Sequence, residues 1–376
     1  MKEELRVIVS GGGTGGHIFP AISIAHAIQA KHPDAEILFV GAEGRMEMQR
    51  VPAEGYRIEG LPICGFNRKN LLSNVKVAYK IMQSRYRARK IISDFHPMVA
   101  VGVGGYASGP TLNVAASMGI PTLLQEQNSY AGVTNKILAK GASKICVAYE
   151  GMERFFPAEK LMLTGNPVRQ TLLAHPSSHE DALKEFGLDP QKKTVLIIGG
   201  SLGARTINES VLSHLVLIRQ SGMQFIWQTG KFYSNEIKEE LTKRGTPNNL
   251  IISDFIADMG RAYAAADIVI SRAGASSISE FCLLGKPVIL VPSPNVAEDH
   301  QTKNAQALVQ KNAALCVKDS EAKMMLIPIA INTAEQPEKL DEMSQNIKKL
   351  AHPNAAEVIA DEVYKLAVSY RDKGKE

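Results

Sequence analysis

The sequence predicts an α/β protein of two domains, each a parallel sheet with helices on both faces. The chain has 376 residues, more than one hydrophobic core usually supports. Short runs rich in Val, Ile and Leu alternate with longer helix-like segments, as is typical of parallel sheets buried on both faces. A strand that runs directly into glycines occurs twice, at residues 9–13 and 198–201. This repetition indicates two Rossmann-like domains in tandem.

The apolar runs predict the individual strands. In the first half, strands are expected at 5–10, 37–41, 99–103, 122–125 and 144–148. In the second half, they are expected at 194–199, 224–228, 250–253, 268–271 and 287–292. In open sheets of this kind, ligands bind beyond the carboxyl ends of the strands. Two such domains that face each other would therefore collect loops from both in one cleft.

The domain boundary is predicted near Gly165-Asn166-Pro167, where a strand ends in a turn signal. The first domain then covers residues 1–166 and the second covers 167–353. The last segment, 354–376, begins with apolar residues at helical spacing. A helix is expected there, and the sequence leaves open whether it packs back on the first domain.

Composition places the chain among ordinary globular proteins. Hydrophobic residues make up 45% and charged residues 22%. The four cysteines are far apart and form no ligand motif, so reduced thiols in a reducing compartment are expected. No secretory leader is expected, because a strand follows the first few residues directly. The longest uncharged stretch, 97–124, is interrupted by glycines and prolines and is not expected to span a membrane.

Three glycine-rich loops follow predicted strands, at residues 11–17, 102–110 and 199–205. Glycines allow a ligand to approach the backbone closely, and the start of the next helix offers N–H groups to an anion. A phosphorylated ligand is therefore expected. The first loop alone would also suit a nicotinamide-dependent oxidoreductase. Such an enzyme has an acidic residue for the ribose at the end of its second strand, and Glu43 meets this requirement only ambiguously.

A further loop follows the predicted strand at 268–271 and leads to Glu280. A carboxylate there can accept hydrogen bonds from a ribose diol, or simply complement the helix dipole. The amides of Gln301 and Asn128 can bind sugar hydroxyls or serve as turn residues.

Taken together, these motifs closely resemble the MurG family of bacterial N-acetylglucosaminyltransferases. The resemblance rests on residues 12–17, 104–106, 126–128, 165–169, 199–201 and 276–280, in order along the chain. It implies a GT-B fold with two Rossmann-like domains that face across a cleft. It also implies transfer of N-acetylglucosamine (GlcNAc) from UDP-GlcNAc to lipid I, with lipid II as the product.

The resemblance implies a set of substrate-binding residues. The donor contacts would be Thr14, Gly15, Gly16, Asn128, Arg169, Ser201, Ile256, Ala275, Ser276, Ser277, Ile278, Ser279, Glu280 and Gln301. The substrate-binding set further includes Gly104, Gly105 and Tyr106. The uracil would lie near Ile256, the ribose on Glu280 and the sugar near Gln301, whose flanking segment 296–300 departs from the family pattern.

The implied reaction joins the sugar to the 4-hydroxyl of N-acetylmuramic acid (MurNAc) with inversion. His17 is the first candidate for the base, because an unperturbed imidazole titrates near neutral pH. Glu126 is the other candidate. The sequence has no Asp-x-Asp motif for a metal-bound diphosphate, so neither metal nor cofactor is expected.

A basic, partly apolar segment in the first domain predicts contact with an anionic membrane. Residues 60–93 contain no acid. The basic residues are Arg68, Lys69, Lys76, Lys80, Arg85, Arg87, Arg89 and Lys90, and the interleaved apolar residues are Phe66, Leu71, Leu72, Val75, Tyr79 and Met82. Such a segment favours peripheral binding, and the resemblance implies the cytoplasmic face of the inner membrane. Cell-wall synthesis proteins are candidate partners, and no nucleic acid is expected.

Three other functions stay open at this point. One is a GT-B enzyme that uses a UDP-sugar with a different lipid acceptor. The second is the nicotinamide-dependent oxidoreductase. The third is a nucleotide-sugar-binding subunit without chemistry of its own.

Overall fold

The structure is a computed structural model that describes residues 4–64, 74–168, 172 and 177–374. It divides into two compact units, residues 1–169 with 352–376, and residues 170–351. Each unit contains one fully parallel sheet with helices against it. The predicted α/β class with two parallel-sheet domains is confirmed.

The first unit is built on a seven-stranded sheet in the order β3-β2-β1-β4-β5-β6-β7. Its strands are β1 Arg6–Ser10, β2 Glu36–Ala42, β3 Arg57–Leu61, β4 Val99–Gly102, β5 Thr122–Glu126, β6 Lys144–Val147 and β7 Leu161–Leu163. Its helices are α1 Gly15–Lys31, α2 Glu47–Ala53, α3 Asn74–Phe95, α4 Ser108–Ser117 and α5 Val133–Leu138. The strand order reverses at β1, which lies between β2 and β4, and this is where open sheets bind ligands.

The second unit has a six-stranded sheet in the order β10-β9-β8-β11-β12-β13. The strands are β8 Thr194–Ile198, β9 Gln224–Gln228, β10 Leu250–Ser253, β11 Ile268–Ser271, β12 Val288–Leu290 and β13 Leu315–Cys316. The helices are α6 His179–Glu185, α7 Arg205–Ser213, α8 Leu215–Gln220, α9 Ser234–Arg244, α10 Met259–Ala265, α11 Ala275–Leu284, α12 His300–Val309, α13 Asp319–Ala334 and α14 Pro337–Lys348. The order reverses at β8, between β9 and β11, as it does at β1 in the first unit.

The last helix, α15 (Ala355–Lys373), belongs to the first unit. Its apolar residues Ile359 and Val363 are fully buried in the cluster that also contains Val7 and Ile28. Removing such side chains from water is the main favourable term in their packing. The first sheet therefore has a helix from the end of the chain as part of its cover.

Candidate functional site

The first glycine-rich loop joins β1 to α1 and is held by a buried acid. The Gly13 N–H donates to Glu47 Oε2 at 2.9 Å, and the Ala42 N–H donates to Glu47 Oε1 at 3.1 Å. Glu47 is only 1% exposed, and a Cβ on Gly12 would lie 2.2 Å from its carboxyl group. Because the carboxylate fills this space, the loop keeps its path only with glycine at position 12.

The start of α1 carries three of the predicted donor contacts, Thr14, Gly15 and Gly16. Thr14 is exposed at the N-cap position, and its side chain makes no capping hydrogen bond to the helix. The first turn of this 17-residue helix has no acidic residue. An anion placed there would meet backbone N–H groups and the positive end of the helix dipole.

The second glycine-rich loop, between β4 and α4, lies against the first. A Cβ on Gly105 would lie 2.4 Å from the Gly12 carbonyl oxygen, and Gly104 and Gly105 both have positive φ angles, of 93° and 86°. A Cβ on Gly104 would also lie 3.0 Å from the His17 ring. Glycine is therefore required for the close approach of the two loops. Tyr106, the next residue, is 46% exposed.

His17 lies in the first turn of α1 and contacts a buried amide. Its Nδ1 is 3.0 Å from Gln127 Oε1, and Gln127 follows directly after β5. The ring is half-buried. The structure thus brings together His17, Gly104 and Gln127 at the carboxyl end of the first sheet, at the point where the strand order reverses.

Glu126, the last residue of β5, has its carboxylate occupied by the loop that follows. Oε1 accepts hydrogen bonds from the backbone and side-chain nitrogens of Asn128, at 3.1 and 3.2 Å. Oε2 accepts from the Gly132 N–H at 3.0 Å and from Asn135 Nδ2 at 2.9 Å. The residue is 2% exposed. Because four hydrogen-bond donors already occupy the two oxygens of this buried carboxylate, the geometry favours a loop-holding role over that of a base.

In the second unit, the loop from β8 to α7 contains the exposed Ser201. The loop packs on the one after β9, because a Cβ on Gly203 would lie 2.2 Å from the Thr229 carbonyl oxygen. A Cβ on Gly230 would lie 2.1 Å from the Gly203 nitrogen. The two glycines therefore allow two loops at the carboxyl edge of this sheet to touch through their backbones.

The loop after β11 leads into α11, which begins with the predicted contacts Ala275, Ser276, Ser277, Ile278 and Ser279. Glu280 follows within the second turn and is 5% exposed. The hydroxyl of Tyr263, on α10, donates to Glu280 Oε2 at 2.9 Å. Tyr263 is itself 2% exposed. The carboxylate is thus fixed from one side by a buried phenol.

Two other predicted donor contacts lie near the same edge of the second sheet. Ile256 follows β10 and is 8% exposed. Gln301 is near the start of α12, and its Oε1 accepts from the Ser293 N–H at 2.8 Å. Just before it, Glu298 and Asp299 have positive φ angles of 58° and 51°. Such strained backbone in residues other than glycine is often found at functional sites.

Arg169, the remaining predicted donor contact, lies outside the described residues. Within the part of the chain that the structure describes, no group of three or more His, Cys, Asp or Glu side chains could hold a metal ion. No described helix is long and apolar enough to cross a membrane.

Comparison with known proteins shows which family the chain belongs to. The models of the glycosyltransferase family 28 N-terminal and C-terminal domains match residues 7–147 and 194–359. A UDP-N-acetylglucosamine--N-acetylmuramyl-(pentapeptide) pyrophosphoryl-undecaprenol N-acetylglucosamine transferase from Phocaeicola vulgatus is 67% identical over 371 residues, 99% of each chain. The enzyme of the same name from Porphyromonas gingivalis strain W83 is 55% identical over 365 residues, 96% of each chain.

A solved structure gives the same result for the fold. MurG from Acinetobacter baumannii, whose crystal structure is known, is 28% identical in sequence to this chain. The two structures superpose with a TM-score of 0.78, and the match covers 96% of this chain and 99% of that one. The chain belongs to the MurG family. It is an N-acetylglucosaminyltransferase with the GT-B fold, as the resemblance in the sequence implied. Since both family 28 domains match, the oxidoreductase and the binding-only subunit are set aside.

Three residues of the MurG-like site were missed by sequence reasoning. Glu47 and Tyr263 contact loops or side chains that are distant along the chain, and no local pattern marks them. Gln127 had a signal, because it sits between Glu126 and Asn128 and two residues beyond Gln125. Alternation along β5 should direct Gln125 and Gln127 to the same face.

Part of the predicted membrane segment forms α3. Tyr79, Met82 and Tyr86 are 68%, 72% and 77% exposed, and at this spacing they share one face of the helix. Arg85, Arg89 and Lys90 are also exposed. Arg87 instead points to the body of the unit, with Nη1 2.5 Å from Glu43 and Nη2 3.9 Å from Glu59. The residues Phe66, Arg68, Lys69, Leu71 and Leu72, and the side chains of Val75 and Lys76, lie outside the described part.

Proposed function

We propose that this chain transfers GlcNAc from UDP-GlcNAc to the 4-hydroxyl of MurNAc in lipid I, with inversion, and so makes lipid II for peptidoglycan synthesis. The observation that carries the proposal is the 67% identity to a transferase of that name along 99% of both chains. A different lipid acceptor is the competing outcome of the test below.

The second unit is proposed to bind the donor, and the first to bind the acceptor and the membrane. The carboxylate of Glu280, buried and held by Tyr263, suits two hydrogen bonds from a ribose diol. The α11 N-terminus and the loop with Ser201 offer N–H and hydroxyl donors to the diphosphate. Ile256 packs against the uracil, and Gln301 hydrogen-bonds the sugar. Thr14, Gly15, Gly16, Asn128 and Arg169 complete the proposed donor contacts, and Gly104, Gly105 and Tyr106 are assigned to the acceptor.

His17 is proposed as the general base. It is half-buried beside the glycine loops, whereas Glu126 already accepts four hydrogen bonds. The acceptor 4-hydroxyl oxygen would attack the anomeric carbon while its proton passes to His17. The bond from that carbon to the diphosphate oxygen would break, and UDP would leave with the electron pair. A positioned base of this kind contributes roughly 10²- to 10⁴-fold to the rate.

The protein is proposed to act as a peripheral protein on the cytoplasmic face of the inner membrane. The support is the exposed face of α3, where aromatic and basic side chains are interleaved. Each basic residue near an anionic surface contributes roughly 1 kcal/mol, so a few together are enough for reversible binding. The lipid tail of the acceptor makes such binding necessary.

The deciding experiment follows radiolabel from UDP-GlcNAc into the lipid fraction with a short-chain lipid I analogue, in the presence of EDTA. We expect transfer that requires the muramyl acceptor and persists without divalent metal. We expect His17→Ala to lower kcat at least about 100-fold, and Glu126→Gln to act mainly on stability. Donor binding without transfer would refute the acceptor assignment. Complete loss in EDTA that Mg²⁺ restores would refute the metal-free reaction.

A further inference from the structure

Three buried amides form a closed hydrogen-bonded ring behind His17. Gln127, Gln125 and Asn166 are 1%, 0% and 4% exposed. Gln127 Nε2 donates to the side-chain oxygen of Gln125, Gln125 Nε2 donates to Asn166 Oδ1 at 2.9 Å, and Asn166 Nδ2 donates to the Gln127 carbonyl oxygen at 3.0 Å. Buried polar groups that are satisfied in this way hold one another rigidly.

Main-chain carbonyl groups determine which way the Gln127 amide points. Its nitrogen lies 2.8 Å from the Val103 carbonyl oxygen and 3.2 Å from the Gln125 carbonyl oxygen. Carbonyl oxygens can only accept hydrogen bonds, so the NH₂ group must face them. The amide oxygen then faces His17, and an amide oxygen likewise accepts but cannot donate.

The ring nitrogen opposite that oxygen must therefore carry a proton. In neutral imidazole, one nitrogen is a donor and the other an acceptor. With Nδ1 3.0 Å from Gln127 Oε1, the proton of the neutral ring is on Nδ1, and Nε2 carries the lone pair. Gly104 lies against the same ring, which limits its rotation.

We propose that Gln127 is a positioning residue that selects this tautomer, so that Nε2 of His17 takes the proton of the acceptor hydroxyl. This rests on the proposed role of His17 as the base. In the step itself, the hydroxyl oxygen bonds to the anomeric carbon, Nε2 gains the proton, and the Nδ1–H of the resulting imidazolium still donates to Gln127. The amide oxygen stabilises that cation without being protonated.

The first test reads the tautomer directly, from ¹⁵N–¹H spectra of the imidazole rings in the full chain labelled at histidine. His17→Ala identifies the His17 signals by their loss. We expect a proton on Nδ1 at a pH where the ring is neutral. A major population protonated on Nε2 would overturn the proposal, whatever the kinetic role of His17 proves to be.

The second test removes the amide with a side chain of similar length, Gln127→Met. We expect a mixture of tautomers and a roughly tenfold lower kcat, the loss expected for one neutral hydrogen bond at the reacting group, with KM for UDP-GlcNAc within about twofold. Asn166→Ala is the control, because it breaks the cycle of amide hydrogen bonds but leaves the Gln127 side chain hydrogen-bonded to the Val103 carbonyl oxygen. It should lower the melting temperature yet keep Nδ1 protonated.

The outcomes separate the two proposals. Unchanged tautomer and kcat in Gln127→Met would overturn the positioning role. An unchanged kcat in His17→Ala would refute the role of His17 as the general base. The tautomer measurement would then still decide whether Gln127 selects the protonated nitrogen of the imidazole. If Gln127→Met does not fold, the spectrum of the unaltered chain still decides.

Discussion

At the scale of single residues, the first glycine loop depends on one acid from another part of the chain. Glu47 accepts backbone hydrogen bonds from Gly13 and Ala42 with its two different oxygens. It thereby joins the loop after β1 to the end of β2. A hydrogen bond to a charged group contributes more than one between neutral groups, about 1.5–3 kcal/mol.

Glu47→Gln is therefore expected to disturb the loop. The new NH₂ group must face a backbone N–H, so one of the two hydrogen bonds is lost. We expect kcat/KM to fall by roughly tenfold or more, measured with UDP-GlcNAc and a lipid I analogue. Glu239→Gln, at an exposed position on α9, is the control. A lower melting temperature with unchanged kinetic constants would show that the loop keeps its active shape without the carboxylate.

Tyr263 is expected to act on donor binding through Glu280. Tyr263→Phe removes the hydroxyl that donates to Glu280 Oε2 and leaves the packing of the ring in place. We expect KM for UDP-GlcNAc to rise roughly fivefold, with kcat nearly unchanged. Inhibition constants give the specific readout, since UDP should lose more affinity than 2′-deoxy-UDP. Tyr364→Phe, on α15, serves as the control. Equal losses for both nucleotides would argue against a ribose-directed role.

At the scale of elements, the predicted strands are all present, but three edge strands were missed. β7 and β13 have three and two residues, and β3 contains Gly60. All three lie at edges of their sheets and are partly exposed, so they lack a continuous apolar run. Periodicity thus predicts the central strands that carry the glycine loops.

The candidate site was predicted less completely than the central strands. Glycine loops and the α11 motif are local in sequence, so their positions could be read directly. The contacts of Glu47 with Gly13, of Gln127 with His17 and of Tyr263 with Glu280 depend on which strands are neighbours in the sheet. Strand order is set by tertiary packing, and one sequence does not contain a local signal for it.

Helix α3 makes a testable prediction for membrane binding. Arg85 and Arg89 are exposed beside Tyr79, Met82 and Tyr86, whereas Arg87 is paired with Glu43. We expect Arg85→Glu with Arg89→Glu to weaken binding to vesicles with anionic lipid by at least about tenfold in co-sedimentation, because each charge contributes roughly 1 kcal/mol.

The matched control for α3 changes the net charge equally but elsewhere. Lys238→Glu with Lys323→Glu alters two exposed lysines of the second unit and should leave vesicle binding nearly unchanged. If both pairs weaken binding to the same degree, overall charge rather than the α3 face is responsible.

At the scale of the whole molecule, the two units use the same device between different pairs of loops, those after β1 and β4 in the first unit and those after β8 and β9 in the second. In each, the strand order reverses at the first strand of the sheet, and glycines let the loops there approach one another. Gly12 and Gly105 do this in the first unit, and Gly203 and Gly230 do it in the second. In both units, therefore, glycines allow backbone contact between loops at the carboxyl edge of the sheet.

The stability of the second unit can be followed separately, because the single tryptophan of the chain, Trp227, is buried in its core. Burial lowers the pKa of Lys286, in the same unit, from 10.5 to about 8, with Lys348 adding to the effect and Asp267 opposing it. Below about pH 8 the lysine is charged in both folded and unfolded chains. Between the two pKa values the unfolded chain binds more protons, so stability should rise with pH.

The expected rise is up to roughly 3 kcal/mol between pH 8 and 10.5. It can be measured up to pH 10 as the urea midpoint of Trp227 fluorescence. Lys286→Met cannot titrate, so its midpoint should rise less with pH than that of the unaltered chain, and it should be the more stable of the two at pH 7. Lys323→Met, at an exposed site, should keep the original pH dependence. Each comparison is a difference between two chains, so the titration of other groups cancels. If the urea midpoint changed with pH equally in Lys286→Met and in the unaltered chain, Lys286 would have an ordinary pKa in the folded state.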